Sequence, residues 1–183
     1  QLLTYANGKW QADRSTAILV AASNSSQADK DAADYVANGN TGSANDGDQI
    51  EINSALTAAS GRKVVLLAGT YVADATILIP NNTTLSGVGY GTIIELADLD
   101  ATDNLIENSD TSTGTGVIIR DLKLDGRDDL NTAGTQNGVY LDTMGSTTSG
   151  AGRVGASVLH VYAEDFRDAA FLSYSVTASG NNT

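Results

Sequence analysis

Residues Asp46–Asp98 read DGDQIEINSALTAASGRKVVLLAGTYVADATILIPNNTTLSGVGYGTIIELAD. Within Asp48–Ser60, Ile52, Ala55, Leu56 and Ala59 recur at the spacing of one helical face, which predicts a short amphipathic helix. Asp46 or Asp48 is placed to cap its first turn, and Gly61 stands where a helix stops. Lys63–Leu67, Ala75–Ile79, Thr83–Leu85 and Thr92–Leu96 follow, each short, rich in Val, Ile, Leu and Thr, and bounded by turn residues. No second long helical pattern separates them, so an alternating β/α fold is disfavoured and a β-sandwich or β-solenoid remains.

Internal repetition selects the solenoid. Val117–Gly126 (VIIRDLKLDG) and Ser157–Phe166 (SVLHVYAEDF) are each followed by a loop and a second apolar run, Asn137–Thr143 and Asp168–Tyr174. Two successive units thus share a strand–turn–strand pattern, as stacked repeats do. The loops Arg127–Gln136 and Met144–Gly155 are long, and insertions of this kind project from one face of a solenoid, often the binding face.

The order of these pieces resembles the opening of a right-handed parallel β-helix of the pectate-lyase-like superfamily. The matching elements are the helix, then Ala68-Gly69-Thr70-Tyr71, Ile79-Pro80, and the turn Asn82-Thr83-Thr84-Leu85-Ser86-Gly87-Val88-Gly89. The resemblance spans residues 46–175 and implies an all-β, right-handed parallel β-helix with a short N-terminal helical cap. It does not decide function, because that superfamily carries lyases, epimerases, hydrolases, viral spikes and adhesins. Upstream, Ser15–Ala22 is expected as a strand and Ser26–Tyr35 as a short helix capped by Ser25 or Ser26, before the Gly/Asn-rich loop Asn38–Gly47. This segment is expected to cover the first turn of the solenoid, so that residues 15–183 form one domain.

Composition narrows the partners. The formal net charge is −12, with 22 acidic side chains (18 Asp and 4 Glu) against 10 Lys and Arg. Such a balance argues against nucleic acid and anionic membranes, both of which need clustered cations. High Asp with low Lys also suits proteins of salty environments, and equally a plain acidic extracellular surface. No apolar run is long enough to insert into a membrane, and Gln1–Trp10 lacks the layout of a secretory signal. With no Cys, nothing is learned about redox compartment; with one His and no Cys, a usual zinc site is disfavoured.

Residues 1–14 form a separate unit. Leu2–Trp10 reads as a strand, an Asn-Gly turn and a second strand. It resembles the "L-x-Y/W-x-N/D-G-x-x-W" segments of tail-fibre and tail-spike proteins of tailed viruses, where such segments sit in attachment regions that trimerise. By that resemblance Leu3, Tyr5 and Trp10 are assembly residues. A hairpin folded back on its own domain is the plainer alternative.

The densest polar cluster is Asp121, Asp125, Asp128 and Asp129 in RDLKLDGRDD. Strand alternation turns Leu122 and Leu124 inward and Asp121, Lys123 and Asp125 outward. Leu122-Lys123-Leu124-Asp125-Gly126 fits an L-x-x-D-G step of epimerase-like modules, which is also a turn signature of the fold. In lyases and epimerases, abstracting a proton α to a carboxylate needs a base together with a cation or Arg to stabilise the enolate-like intermediate. Asp121, Asp125, Lys123, Arg127 and Tyr140 are the catalytic candidates on that model, with Arg120 a further possible partner, and outward carboxylates of this kind also suit Ca²⁺. No complete lyase signature accompanies them, and no complete calcium loop is present. Asn45–Asp48 lacks the downstream Glu of such a loop, and helix capping explains its acids better. Tyr140 and Tyr162, with Asp128 and Asp129, are candidates for ligand contact, since aromatic faces stack on sugar rings. Tyr140, Tyr162, Phe166, Phe171 and Tyr174 serve equally well as core fillers. His160 occupies in its repeat the place of Asp121 one unit earlier, without the flanking motif of a catalytic triad.

The expected function is therefore structural. The chain reads as a virion-surface appendage, a tail fibre or spike, that forms a homotrimer, has other virion structural proteins as partners and recognises a host surface glycan or glycoprotein. A secreted lyase or epimerase acting on uronate polymers is the alternative, and a cellular adhesin shares the fold. Because no capping pattern follows Tyr174, the last turn is expected to be covered by further chain or by a partner.

Overall fold

The computed structural model describes residues 3–6, 9–12, 17–39, 46–97, 104–112, 114–131, 133–142 and 155–174; the side chains of the first two segments and of Tyr174 lie outside that description. Strands β1 (Leu3–Ala6) and β2 (Lys9–Ala12) form an antiparallel hairpin that sets Tyr5 opposite Trp10. It pairs with no other described strand.

All other pairings are parallel. The strands are β3 (Ala17–Ala21), β4 (Tyr35–Val36), β5 (Lys63–Leu66), β6 (Gly69–Ala73), β7 (Ile77–Ile79), β8 (Thr84–Ser86), β9 (Thr92–Leu96), β10 (Ile106–Asn108), β11 (Ile118–Asp125), β12 (Asn137–Asp142), β13 (Ser157–Glu164) and β14 (Ala169–Tyr174). They make a curled sheet. One ladder runs β3–β5–β8–β11–β13, a second β6–β9–β11–β13, and a third β7–β10–β12–β14. β11 and β13 are long enough to belong to two ladders at once. The two repeats read from the sequence are thus neighbours in register, β11 on β13 and β12 on β14.

Parallel register stacks like upon like inside the curl. Ile18, Val64, Leu85, Ile119 and Val158 form one inward column. Tyr71, Ile94, Leu124 and Ala163 form a second, and Ile77, Ile106, Val139 and Phe171 a third. The first members of each column are buried, and each fully buried Leu or Ile contributes roughly 1.5–3 kcal/mol. Tyr71 is fully buried as well, because its hydroxyl lies 2.8 and 3.0 Å from the carbonyls of Val20 and Leu67, which share its one proton.

Helix α1 (Gln27–Ala32) starts at Ser26, whose Oγ accepts from the Asp29 N–H at 3.1 Å. Helix α2 (Gln49–Ala59) closes the first turn with the expected face, Ile52, Ala55, Leu56 and Ala59, all fully buried. It stops at Ser60 and Gly61, both left-handed at φ 47° and 82°. Capping by Asp48 does not occur. Asp48 stands at the N-cap position, but its carboxylate accepts from the Gly39 N–H at 2.7 Å and the Val72 N–H at 2.8 Å, tying the helix to β6 and to the preceding segment. Burial pushes the Asp48 carboxyl up from its ordinary value.

The far end has no such cover among the described residues. Phe171 faces inward in register with Val139 yet is 48% exposed. A cavity of about 340 Å³ opens there, between Val139, Leu141, Val158, Val161 and Phe171.

Candidate functional site

The feature that organises the site is a bend in β11. Alternation along a straight strand would put Asp121 beside Lys123 and Asp125. Instead Ile119 and Leu122 are both buried, and the residue at the bend, Asp121, is left-handed at φ 56°. Up to Arg120 the strand lies on β8, and from Lys123 it lies on β9. Asp121 therefore marks a corner between two faces. One turn on, His160 repeats the geometry at φ 52°, and its Nδ1 lies 3.1 Å from Asp121 Oδ1. Arg120 Nε holds the other oxygen of Asp121 at 2.5 Å, and hydrogen bonds from Arg120 and His160 keep the Asp121 carboxyl below its usual range.

Beyond the corner lies an outward face with two columns. Thr70, Ile93, Lys123 and Tyr162 stack in one; Val72, Glu95, Asp125 and Glu164 stack in the other. Parallel sheets are usually covered on both sides by apolar layers, and a charged outer column is a departure from that rule. Lys123 Nζ pairs with Asp125 at 3.4 Å and with Glu164. Arg127, left-handed at φ 50° in the turn after β11, reaches back to Glu95 at 3.2 Å and across to Asp129 at 3.5 Å. Burial raises the Glu95 carboxyl, opposed by Arg127. Hydrogen bonds from Lys123 and then Tyr162 lower that of Glu164.

Gly126 is demanded by the next turn. A Cβ there would lie 2.2 Å from the carbonyl oxygen of Asp165. The Leu-Asp-Gly step thus has a packing reason independent of any chemistry.

Of the catalytic candidates, the fold brings Lys123, Asp125 and Arg127 together and sets Asp121 at the adjoining corner. Tyr140 lies on β12, outward on the third ladder, opposite Glu107 and Leu172. Asp128 and Asp129 are exposed in the turn after β11, close enough to help hold the Asp165 carboxyl above its ordinary value, after the larger effect of desolvation. The aromatic group of the last two units is divided: Tyr162 is outward and exposed, Phe166 packs against the core, and Phe171 lines the open end. The side chains of Leu3, Tyr5 and Trp10 lie outside the described residues.

Sequence reasoning missed Tyr90. It sits in the corner loop between β8 and β9, next to Gly89, whose N–H donates to the Asp121 carbonyl at 2.9 Å. Tyr90 is 61% exposed, and its ring centroid lies 6.2 Å from that of Tyr162, tilted by 56°. The signal is a large aromatic set directly after the turn Asn82–Gly89 and before Gly91. Glu164 aligns with Asp125 in the repeat of Val117–Gly126 and Ser157–Phe166, whereas Glu95 joins them only through the register of β9 on β11.

A Ca²⁺ ion would find Asp125, Glu164 and Asp165 with one carboxylate oxygen each inside 4.8 Å of the others. The fit is poor, because the Lys123 ammonium already lies against two of the three and Ca²⁺ takes six to eight oxygens. No described helix is long and apolar enough to cross a membrane.

No protein-family profile matches the sequence, and no curated protein matches it. Solved structures similar in fold include two A-modules of mannuronan C-5 epimerases from Azotobacter vinelandii. The AlgE6 A-module superposes with a TM-score of 0.60 at 22% identity, covering 70% of this chain and 36% of that one. The AlgE4 A-module gives 0.56 at 22% identity, covering 70% and 37%. The chain thus spans little more than a third of the structures it matches. Those A-modules have the parallel β-helix fold of the pectate-lyase-like superfamily, and the likeness extends to the curled all-parallel sheet of this chain.

Proposed function

We propose that this chain is the polysaccharide-recognition part of a surface-displayed protein, its sheet wound as a right-handed parallel β-helix. The observation that carries this reading is the Tyr90–Tyr162 pair. Two large aromatic rings stand exposed at one corner, from turns that are not adjacent, beside a fixed array of charged hydrogen-bonding groups. Aromatic faces stack on the C–H faces of sugar rings, while carboxylates and N–H groups take the hydroxyls. Calorimetric titration with a panel of soluble polysaccharides tests it. Tyr90→Ala and Tyr162→Ala should each weaken binding by about tenfold or more; binding unaffected by either variant sinks the reading.

A virion tail fibre or spike is the setting this domain suits. The β1–β2 hairpin stands apart from the curled sheet in its pairing, as an attachment element should, and the half-exposed Leu159 and Phe171 offer apolar surface to an assembly. Light scattering on purified protein with and without Trp10→Ala tests the homotrimer. A trimer lost on substitution supports the appendage, and a monomer indifferent to it removes that setting.

The second reading is a uronate-modifying lyase or epimerase. It is favoured by the gathering of Lys123, Arg127, Tyr162 and the Asp121–His160 pair on adjoining surfaces, which supplies proton-transfer groups and cations within one neighbourhood. Incubation with polymannuronate and polygalacturonate, followed by NMR for C5 inversion and by ultraviolet absorbance for unsaturated ends, decides it.

A further inference from the structure

Arg120, Lys123 and Arg127, the cations of β11 and of the turn after it, are each held by a carboxylate, while Arg167 stands exposed in the turn after β13. Arg120 is held by Asp121 at 2.5 Å. Lys123 lies between Asp125 and Glu164. Arg127 lies between Glu95 and Asp129, at 3.2 and 3.5 Å. Around the last turn the carboxylates outnumber these cations, and Asp165 sits among Asp128, Glu164, Asp125 and Asp129.

Away from Arg167, a polymer bearing one carboxylate per sugar would meet the β11 face in one of two ways. It would displace an internal carboxylate from its cation, leaving that group unpaired, or it would lie unpaired itself among anions. Either arrangement places like charges within a few ångströms of each other, where repulsion is strongest and salt screens it least. A neutral sugar meets no such obstacle. Its hydroxyls can donate to the outer lone pairs of carboxylates already anchored by Lys123 and Arg127, and its ring faces have Tyr90 and Tyr162.

We infer that the corner face selects uncharged, hydroxyl-rich glycans and rejects polyuronates, an inference that rests on the polysaccharide-recognition reading above. The internal ion pairs are then the specificity device. They fix the acceptors in place and withhold the cations from an acidic ligand.

The test is calorimetric titration of the full chain with dextran, mixed-linkage β-glucan and galactomannan on one side, and sodium alginate and polygalacturonate on the other, in EDTA, at low and high salt. At least one neutral polymer should bind, with little salt dependence and with loss on Tyr162→Ala. The two polyuronates should bind about tenfold more weakly or not at all. Glu164→Gln removes one of the two carboxylates on Lys123 and should raise alginate or polygalacturonate binding by about tenfold. Polyuronate bound as tightly as any neutral polymer and lost on Tyr162→Ala overturns the selectivity while leaving polysaccharide recognition standing. Polyuronate binding that appears only on adding Ca²⁺ overturns it too, because a bridging cation would then set the preference. A Glu164→Gln variant with no gain toward polyuronates removes the ion-pair mechanism. Binding to none of the five polymers defeats the recognition reading and this inference with it.

Discussion

His160 stacks on Asp121 one turn along the sheet, Nδ1 to Oδ1 at 3.1 Å, and both residues are left-handed. The contact is exposed, with the His160 side chain 77% accessible, so by itself it contributes little to stability. The backbone geometry matters more. Asn and Asp tolerate the left-handed region, whereas a β-branched residue there costs about 1–2 kcal/mol. His160→Asn should melt within a degree or so of the parent, and His160→Val should melt lower by about 2–4 °C for each kcal/mol of strain. Thermal unfolding of the pair checks this, and equal melting would show that the bend does not constrain position 160.

Gly126→Ala meets backbone, which cannot step aside as a side chain can. The added Cβ would press on the Asp165 carbonyl at 2.2 Å and on the Phe166 ring at 2.7 Å. A loss of about 1–3 kcal/mol is expected, read from urea midpoints. Gly89→Ala is the control, because a Cβ there meets nothing within 4 Å and pays only for its φ of 116°.

Asp48→Asn removes a buried charge and should still destabilise. Two backbone N–H groups, from Gly39 and Val72, need an acceptor each, and an amide offers one oxygen and an NH₂ that opposes the second donor. One donor left unmet costs about 1–3 kcal/mol. Chemical denaturation at neutral pH reads the loss, and a variant more stable than the parent would mean that desolvation of the charge outweighs both hydrogen bonds.

Stability should peak on the acid side of neutrality. Asp48, Glu51 and Glu95 are raised above their ordinary values of 3.8, 4.5 and 4.5, in each case chiefly by burial. Through the window between ordinary and raised values the native state binds more protons than the unfolded one, so stability falls as pH rises. Asp121 and Glu164 are lowered by their hydrogen bonds and act in the opposite sense: their contribution is present above the ordinary values and is lost as pH falls below them. Repulsion at a net charge of −12 adds to the decline toward neutral pH. A maximum on the acid side of neutrality follows. Urea midpoints collected from acid to mildly alkaline pH check it, and a steady rise from pH 5 to 8 would contradict it.

Much of the fold was legible because its signals are local. The apolar face of α2 is a period of 3.6 written within a dozen residues, and the two-turn repeat places His160 over Asp121 by alignment alone. The short strand β10 (Ile106–Asn108) escaped notice, since its support is the register with Ile77 and Val139, far along the chain. The site was legible in part. Lys123, Asp125 and Arg127 sit within one strand and its turn, and the fold keeps them together. The bend at Asp121 was hidden because alternation assumes a straight strand, and nothing in Arg-Asp-Leu announces a positive φ. Tyr90 joins Tyr162 only through a corner that the sheet creates, so no window of sequence contains both.

The contrast between the two ends of the curl gives the molecule a direction. At one end α2 seals the stack; at the other Phe171 stands half in solvent. In a nearest-neighbour array each turn is held by those beside it, so amide exchange should be slowest near the fully buried Ile52 and Leu56 and faster at the last described turn, β13–β14, whose side chains are part-exposed. Tyr162 belongs to that last turn and Tyr90 to one two turns deeper. A sugar chain gripped by both rings would therefore act as a clasp, tying β13 to the deeper turns and slowing its exchange at the moment of recognition.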